Sequence, residues 1–204
     1  MFKRMSVLVR RAGDDRPSFS RSWERHATPV ARLPKMRGYI QNHVEEEFRT
    51  VGGSPIDVDG FVELLWDRPE DMAAAFASAA ARPMVEDESG FLGHGSGYAI
   101  RRASPLRESI GGKLIVAAVG TAAALDVLEG RLQARPALQE LIRDDVVELI
   151  AKSGMAAPQP VSAFFHLYFD DVGVARKTGH SMASYQPPVE LHLGAYFVRT
   201  KRIV

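Results

Sequence analysis

The chain has 204 residues, of which 46% are hydrophobic and 25% charged, so it has room for one large domain or two of about 100 residues. Lys and Arg number 26 against 25 Asp and Glu, a balance that does not favour binding to a nucleic-acid backbone. The sequence has no cysteine, which excludes disulfides, thiolate metal sites and a cysteine nucleophile and suits a reducing compartment. We therefore expect a cytoplasmic protein without a nucleic-acid partner.

Neither the N-terminal segment nor the longest apolar run indicates export or membrane insertion. Residues 5–9 are apolar but follow Lys3 and Arg4, and they are shorter than a signal-peptide core. The Ala-rich residues 72–81 fall well short of the roughly 18 apolar residues of a membrane-spanning helix. No membrane partner is expected.

In chain order, the first hundred residues predict the pattern β-α-β-β-α-β, which is that of a ferredoxin-like unit. Alternating or apolar segments predict four strands, at 2–9, 36–48, 58–66 and 97–102. The first helix is expected from about Ser18, after a turn. The second is expected from Pro69, because proline suits a first helical turn.

The second half of the chain repeats this pattern in degenerate form. Residues 33–46 align with 135–148 without a gap, and 63–67 align with 166–170, both at an offset of about 102 residues. Residues 98–101 align with 196–199 in the same order. The sequence therefore predicts two domains, at 1–102 and 113–204, joined by a linker at 103–112.

Local propensity and the repeat disagree at residues 137–151. Their Leu, Ile and Glu content favours a helix when the segment is taken alone. Their alignment with the alternating segment of the first half predicts a strand instead. We predict a strand, because tertiary context overrides local propensity, and a helix is the rival interpretation.

Several segments of the first half resemble the EthD family of the dimeric α+β barrel superfamily, namely residues 19–23, His26, 30–34, 39–44 and 86–92. The resemblance covers roughly residues 1–102. It implies an α+β fold in which two tandem ferredoxin-like halves pack their antiparallel sheets face to face as an intramolecular dimeric α+β barrel. It also implies a small ligand bound in the cleft between a sheet and its own helices. A homodimer of such two-domain chains is compatible with this arrangement.

Two histidines are the predicted catalytic residues. His26 shares a helix face with Phe19 and Trp23, where apolar surroundings would tune its pKa for proton transfer near neutral pH. The structural alternative is a buried histidine bonded to a carbonyl. His43 follows Tyr39 on one strand face and is either a second acid or base or a residue that lines the barrel. The predicted substrate-binding residues are Trp23, Tyr39, Gln41, Trp66 and Phe91.

The corresponding cleft of the second half has lost these groups. Its aligned positions replace Trp23 by Leu125, His26 by Leu128 and His43 by Asp145. The first cleft is therefore expected to be the working one. His166, which aligns with Glu63, is the residue that would give the second half its own chemistry.

The remaining polar motifs are interpreted structurally. The acidic run 86–88 is expected to be a solvated surface, and the alternating glycines at 93, 95 and 97 are expected to ease a strand or bend. The six histidines show no metal-binding spacing, so neither a metal nor a cofactor is expected. Haem is the alternative, with His166 or His180 as its axial ligand.

The favoured function is a cofactor-independent lyase or isomerase, of dehydratase or cyclase type, in which the histidines move protons on a small cyclic or aromatic compound. One alternative is an oxidoreductase or accessory protein, either a cofactor-free oxygenase or a haem protein. The other is a protein that binds a small ligand without turnover.

Overall fold

A computed structural model describes residues 1–101, 104–152 and 154–204. Within these ranges the chain forms eight strands: β1 Phe2–Arg10, β2 Gly38–Phe48, β3 Gly60–Trp66, β4 Leu92–Ile100, β5 Gly112–Val119, β6 Leu138–Ala151, β7 Ala163–Phe169 and β8 His192–Arg202. The same ranges contain five α-helices and a 3-10 turn: α1 Arg16–Val30, α2 Pro69–Ala77, the turn Ala79–Ala81, α3 Arg82–Glu88, α4 Ala122–Gln133 and α5 Val172–Ala183.

The strands close into an antiparallel barrel in the order β1-β3-β2-β8-β5-β7-β6-β4. The first four strands of the chain are neighbours in this barrel, and so are the last four. Strands β2 and β8 form one junction between the two groups, and β4 and β6 form the other. Each of these eight strands therefore has a hydrogen-bonded neighbour on both sides.

Helix α1 begins where its capping signals lie. The side chain of Asp15 accepts a hydrogen bond of 2.7 Å from the backbone N–H of Ser18, and Pro17 occupies the first turn. The helix therefore begins at Arg16, two residues before the predicted start. Its buried face carries Phe19, Trp23, His26, Ala27 and Val30.

Residues 138–151 form a strand and not a helix. Strand β6 pairs with β7 along its first half and with β4 along its second half. The backbone hydrogen bonds of these two ladders outweigh the helix propensity of its side chains. The prediction of a strand at this position is confirmed.

Strand β4 begins at Leu92, five residues earlier than predicted, so the three alternating glycines lie inside it. At Gly93 a Cβ atom would lie 2.6 Å from the backbone oxygen of Arg10, where β1 has a bulge. Glycine thus permits the pairing of the two strands there. Arg102 and Ala103, at the end of the predicted strand and the start of the predicted linker, lie outside the described residues.

Strand alternation divides the core into three parts. One part fills the barrel and includes Met5, Phe61, Tyr98, Phe164 and Tyr196. The other two lie between the outer face of the barrel and the helices of each half of the chain. No helix in the described part of the chain is long and apolar enough to cross a membrane.

Candidate active site

The candidate site is a cleft between the outer face of the first four strands and helices α1 and α3. Its walls are mainly apolar and include Leu8, Trp23, Val62, Phe76 and Met84. Its polar lining is Arg4, Ser6, His26, Tyr39, Glu88 and Lys152. The open space among these side chains is about 30 Å³, enough for one or two water molecules. A ring-sized ligand therefore requires an outward movement of the walls.

His26 is the buried imidazole of this cleft, with 3% of its surface exposed. Its Nδ1 lies 2.8 Å from a carboxylate oxygen of Asp87, and its ring packs at 5.1 Å from that of Phe91. Burial lowers the pKa of His26 below 6.5, although Asp87 and Glu88 act in the opposite direction. The imidazole is therefore neutral at pH 7, and Nδ1 donates its proton to Asp87. This leaves Nε2 as the basic nitrogen.

The acidic run 86–88 is exposed at Glu86 and Asp87, as predicted for a solvated surface, but not at Glu88. Asp87 is half exposed but binds His26, and Glu88 is only 13% exposed and forms an ion pair with Lys152. An oxygen of Glu88 also lies 3.7 Å from Nε2 of His26. The end of α3 turns these carboxylates toward α1, a contact that the sequence pattern of α3 alone does not reveal.

His43 lies outside this cleft, in a groove beside Ser20, Glu24 and Arg199. Its Nδ1 is 3.0 Å from the hydroxyl of Ser20, and its Nε2 is 3.2 Å from the amide oxygen of Gln41. Its ring lies 4.3 Å from that of Trp23, which itself lines the cleft. The two predicted catalytic histidines thus do not face the same cavity.

A hydrogen-bond chain nevertheless joins His43 to the cleft. The Nε2 group of His43 donates to the oxygen of Gln41, and the amide nitrogen of Gln41 donates to the Tyr39 hydroxyl over 2.8 Å. The same nitrogen lies 2.8 Å from the backbone oxygen of Trp23. Burial raises the pKa of Tyr39 well above its usual value, so its hydroxyl stays protonated. His43 and Gln41 therefore position a phenol that lines the cavity.

Acid should destabilise the protein through His43. Burial, followed by the Arg199 charge, lowers the pKa of His43 to about 4 from 6.5. Between these values the unfolded chain binds a proton that the folded chain does not, so stability is present above pH 6.5 and is lost as the pH falls toward 4. We expect His43→Gln to reduce that loss by up to about 3 kcal/mol, measured by urea denaturation at pH 7, 5.5 and 4.5.

The matched control is His180→Gln, because His180 is 66% exposed on α5. This variant should change stability by less than about 0.5 kcal/mol at pH 7. An identical loss in the wild type and in the His43→Gln variant would show that His43 is not held neutral by its surroundings.

The other two predicted substrate-binding aromatics support the cleft from behind. Trp66 is fully buried, and its indole N–H donates to the backbone oxygen of Pro34. Phe91 packs between Phe19 and His26, at ring distances of 5.8 and 5.1 Å. Neither residue belongs to the lining of the cavity. Their role in binding stays a prediction.

Arg4, Glu88 and Lys152 are residues of the cleft that sequence reasoning missed. Arg4 lies in an apolar strand and is 6% exposed, with its guanidinium 4.8 Å from the centre of the Phe76 ring. Lys152 follows β6 and belongs to the other half of the chain. A charged residue in the apolar strand was the available signal for Arg4. No local sequence pattern predicts that Lys152 lines the cleft, because only the folded structure brings it there.

A second polar cluster lies inside the barrel. The ammonium group of Lys3 lies 2.8 Å from Glu63 and 2.6 Å from Asp144, and that of Lys113 lies 2.7 Å from Glu63. Asp144 also lies 2.9 Å from Nε2 of His166. Burial lowers the pKa of Lys113 and of His166, although the carboxylates oppose it. The cluster balances two cations with two carboxylates around a neutral histidine.

Glu63, Asp144 and His166 lie close enough together to hold a metal ion, but their surroundings do not suit one. Lys3 and Lys113 already neutralise both carboxylates, so a divalent cation would face two buried ammonium groups. We assign this cluster to the barrel core.

Haem also fits poorly at the two histidines considered for it. His166 is fully enclosed in the barrel and bonded to Asp144, without space for a macrocycle beside its ring. His180 projects from α5 into solvent, with its ring against Phe48 and its Nε2 3.4 Å from Glu46. Neither arrangement offers an axial ligand at the wall of an apolar cavity.

Comparison with solved structures shows which fold this chain shares with other proteins. The chain is 12% identical to an anthrone oxidase-like protein, covering 99% of this chain and 93% of that one with a TM-score of 0.56. A proposed monooxygenase from Fusobacterium nucleatum gives 6% identity, coverages of 98% and 93% and a TM-score of 0.55. A proposed chlorite dismutase is 10% identical, and the match covers 98% of this chain and 95% of that one with a TM-score of 0.51. These likenesses show an α+β fold with an eight-stranded antiparallel barrel.

The family follows from the sequence of the first half. Residues 11–95 match the family model of the EthD domain. The chain therefore carries an EthD domain, and the resemblance inferred from its motifs is confirmed. No curated protein matches the chain by sequence.

Proposed function

We propose that the chain is a single-chain counterpart of a dimeric α+β barrel, built from tandem ferredoxin-like halves at 1–102 and 113–204. The barrel order supports this, because β4-β1-β3-β2 in the first half corresponds to β8-β5-β7-β6 in the second. Lys35 and Ala137, at aligned positions before β2 and β6, share the same φ of 58°. The barrel cluster also draws on equivalent positions, with Glu63 in β3 and His166 in β7.

We further propose that the first-half cleft catalyses proton transfer on a small cyclic or aromatic compound, as a cofactor-independent lyase or isomerase. The observation that carries this is the state of His26. It is a buried neutral imidazole whose Nδ1 is held by Asp87, so that Nε2 is the basic nitrogen in a largely apolar cleft. Because burial lowers its pKa below 6.5, His26 is unprotonated at physiological pH and able to accept a proton.

The proposed reaction begins when Nε2 of His26 takes a proton from a carbon next to a carbonyl group. The electron pair of the broken C–H bond moves onto the carbonyl oxygen as an enolate. The Tyr39 hydroxyl donates a hydrogen bond to the developing negative charge. His26 then returns the proton at another carbon, which isomerises the ring, or to a leaving hydroxide, which completes a dehydration.

The second cleft supports an assignment of this activity to the first half. Leu125 and Leu128 of α4 are buried in the apolar core, and neither can exchange a proton. Asp145 is paired with Arg143 at 2.7 Å, and Arg143 also contacts α4. We propose that the first cleft alone carries out the chemistry.

Deuterium exchange tests the proposal without knowledge of the natural substrate. The protein is incubated in D₂O with a panel of small cyclic ketones, lactones and phenols, and ring deuteration is followed by NMR. We expect protein-catalysed exchange of at least one compound above the rate given by free imidazole at the same concentration. Binding of that compound should shift the ring signals of His26 and leave those of His166 unchanged.

Three outcomes would contradict this proposal. Exchange no faster than with free imidazole across the whole panel would remove the case for proton transfer. Consumption of oxygen with a phenol would instead indicate the cofactor-free oxygenase alternative. Ligand-induced shifts confined to His166 would show that the ligand binds in the second half of the chain.

A further inference from the structure

We infer that the ligand of the first-half cleft is a small ring that carries an oxyanion, a carboxylate or a phenolate, and that Arg4 and Lys152 bind this group. The inference rests on the cleft proposed above as the ligand site, but it does not depend on the chemistry of His26. It follows from three features of the cleft: its glycines, a guanidinium whose Nε has no hydrogen-bond partner among the described residues, and its charge.

Two of the alternating glycines of β4 make room for these cations. Gly95 and Gly97 are two residues apart and therefore lie on one face of the strand. A Cβ atom at Gly97 would lie 2.7 Å from a terminal nitrogen of Arg4, and one at Gly95 would lie 2.6 Å from Cδ of Lys152. The absence of side chains at both positions lets the two basic residues lie against the sheet beside the cavity.

Arg4 lacks the partner that a buried guanidinium normally has. Its Nε has no hydrogen-bond partner among the described residues, and 6% of the residue is exposed. Burial lowers the pKa of Arg4 to about 10, although Glu88 opposes the shift. Burying an unpaired charge is costly, and a planar guanidinium is suited to bidentate binding of a carboxylate. A ligand oxyanion would supply the missing partner.

The charge of the described lining favours one negative ligand group. Arg4 is cationic, Lys152 and Glu88 form an ion pair, and His26 is neutral. Burial lowers the pKa of Lys152, although Glu88 opposes the shift. Glu88 is engaged by Lys152, so the guanidinium of Arg4 stays the less compensated group. The Phe76 ring covers one face of that guanidinium and leaves its edge for hydrogen bonds.

Matched pairs of anionic and neutral compounds test this inference. Binding of benzoate and benzamide is compared at pH 7, and binding of 4-nitrophenolate and 4-nitroanisole at pH 8.5, by isothermal titration calorimetry. We expect the wild type to prefer at least one anion over its neutral partner by about tenfold or more. Which pair shows the preference distinguishes a carboxylate from a phenolate.

Two variants alter the proposed anion-binding site at Arg4 and Lys152 in different ways. Arg4→Gln removes the charge, and Gly97→Ala keeps every charge but displaces the guanidinium. Both should reduce the preference for the anion to less than about threefold, with folding checked by circular dichroism. The control is Arg49→Gln, because Arg49 is 79% exposed and lies outside the cleft, and it should keep the wild-type preference.

Equal affinity of the wild type for both members of each pair would overturn the inference. So would the absence of anion binding at millimolar concentration, or a preference retained in both variants. The deuterium exchange assay is measured separately. A preference for the anion without any deuterium exchange would support anion binding by Arg4 and Lys152 and reject the proposed reaction. Exchange without a preference for the anion would support the reaction and reject the anion-binding inference.

Discussion

Replacement of Glu63 by Gln should destabilise the fold by about 3–5 kcal/mol, the cost expected when one partner of a buried ion pair is removed. Glu63 is 1% exposed and lies between Lys3 and Lys113, at 2.8 and 2.7 Å. Lys3 keeps Asp144 in the variant, whereas Lys113 loses its carboxylate partner and keeps a hydrogen bond of 3.1 Å to the oxygen of Asn42 and a cation–π contact of 5.0 Å with Tyr168. Its charge would be buried without a carboxylate.

The effect should depend on pH in a defined direction. Burial alone would raise the pKa of Glu63, but the Lys113 and Lys3 charges outweigh it and hold this pKa well below 4.5. The stabilisation is therefore present above pH 4.5 and is lost as the pH falls below that value. The difference between wild type and variant in urea denaturation should be large at pH 7 and should shrink at pH 3.5.

Two further variants separate charge pairing from a general loss of packing. Glu148→Gln is the matched control, because Glu148 is exposed on β6, and it should change stability by less than about 0.5 kcal/mol. The double variant Glu63→Gln, Lys113→Met removes the uncompensated ammonium group and should recover about half of the loss. A Glu63→Gln variant within about 1 kcal/mol of the wild type would contradict the proposed role of the cluster.

The second large effect is expected at His26. His26→Gln should reduce deuterium exchange by about 10²- to 10⁴-fold, the usual contribution of a positioned general base. Burial lowers the pKa of His26 below 6.5, so the basic form is retained to a lower pH than for free histidine. On the acid side, the pH profile of the wild type should therefore begin to fall at a lower pH than the profile of free imidazole.

The role of Asp87 offers an internal comparison. Asp87→Asn keeps a hydrogen-bond acceptor for Nδ1 of His26 but removes its charge, so exchange should fall less than in His26→Gln. Asp67→Asn is the control, because Asp67 is about as exposed but binds Arg37 outside the cleft. Full activity in a His26→Gln, His43→Gln double variant would show that neither histidine carries the reaction.

Much of the fold could be predicted because alternation and turn signals are local. The strand at β6 was the exception, since its composition favours a helix and only its alignment with the first half indicated otherwise. The boundaries of β4 were mistaken for a different reason. Its glycines weaken the strand signal. Gly93, Gly95 and Gly97 leave room for residues that are distant in the chain, and a local sequence pattern does not show those contacts.

The candidate site was predictable only in part. His26, Trp23 and Tyr39 were recognised from their spacing on one helix face and one strand face, and all three line the cleft. The same reasoning grouped His43 with His26, although the Trp23 ring packs against His43 outside the cavity. Which faces meet depends on how α1 lies across the sheet, and periodicity does not specify that.

The sequence by itself determined the family of the first half, the alternation of the strands and which side chains share a face. Tertiary structure decided which faces meet. In the folded chain, Lys152 of the second half lies beside Glu88 in the cleft that Arg4 also lines. Two lysines and two carboxylates are buried together inside the barrel. The physical reason is that alternation fixes the side of the sheet on which a residue lies, whereas its charge partners come from strands that are distant in the chain and meet only when the barrel closes.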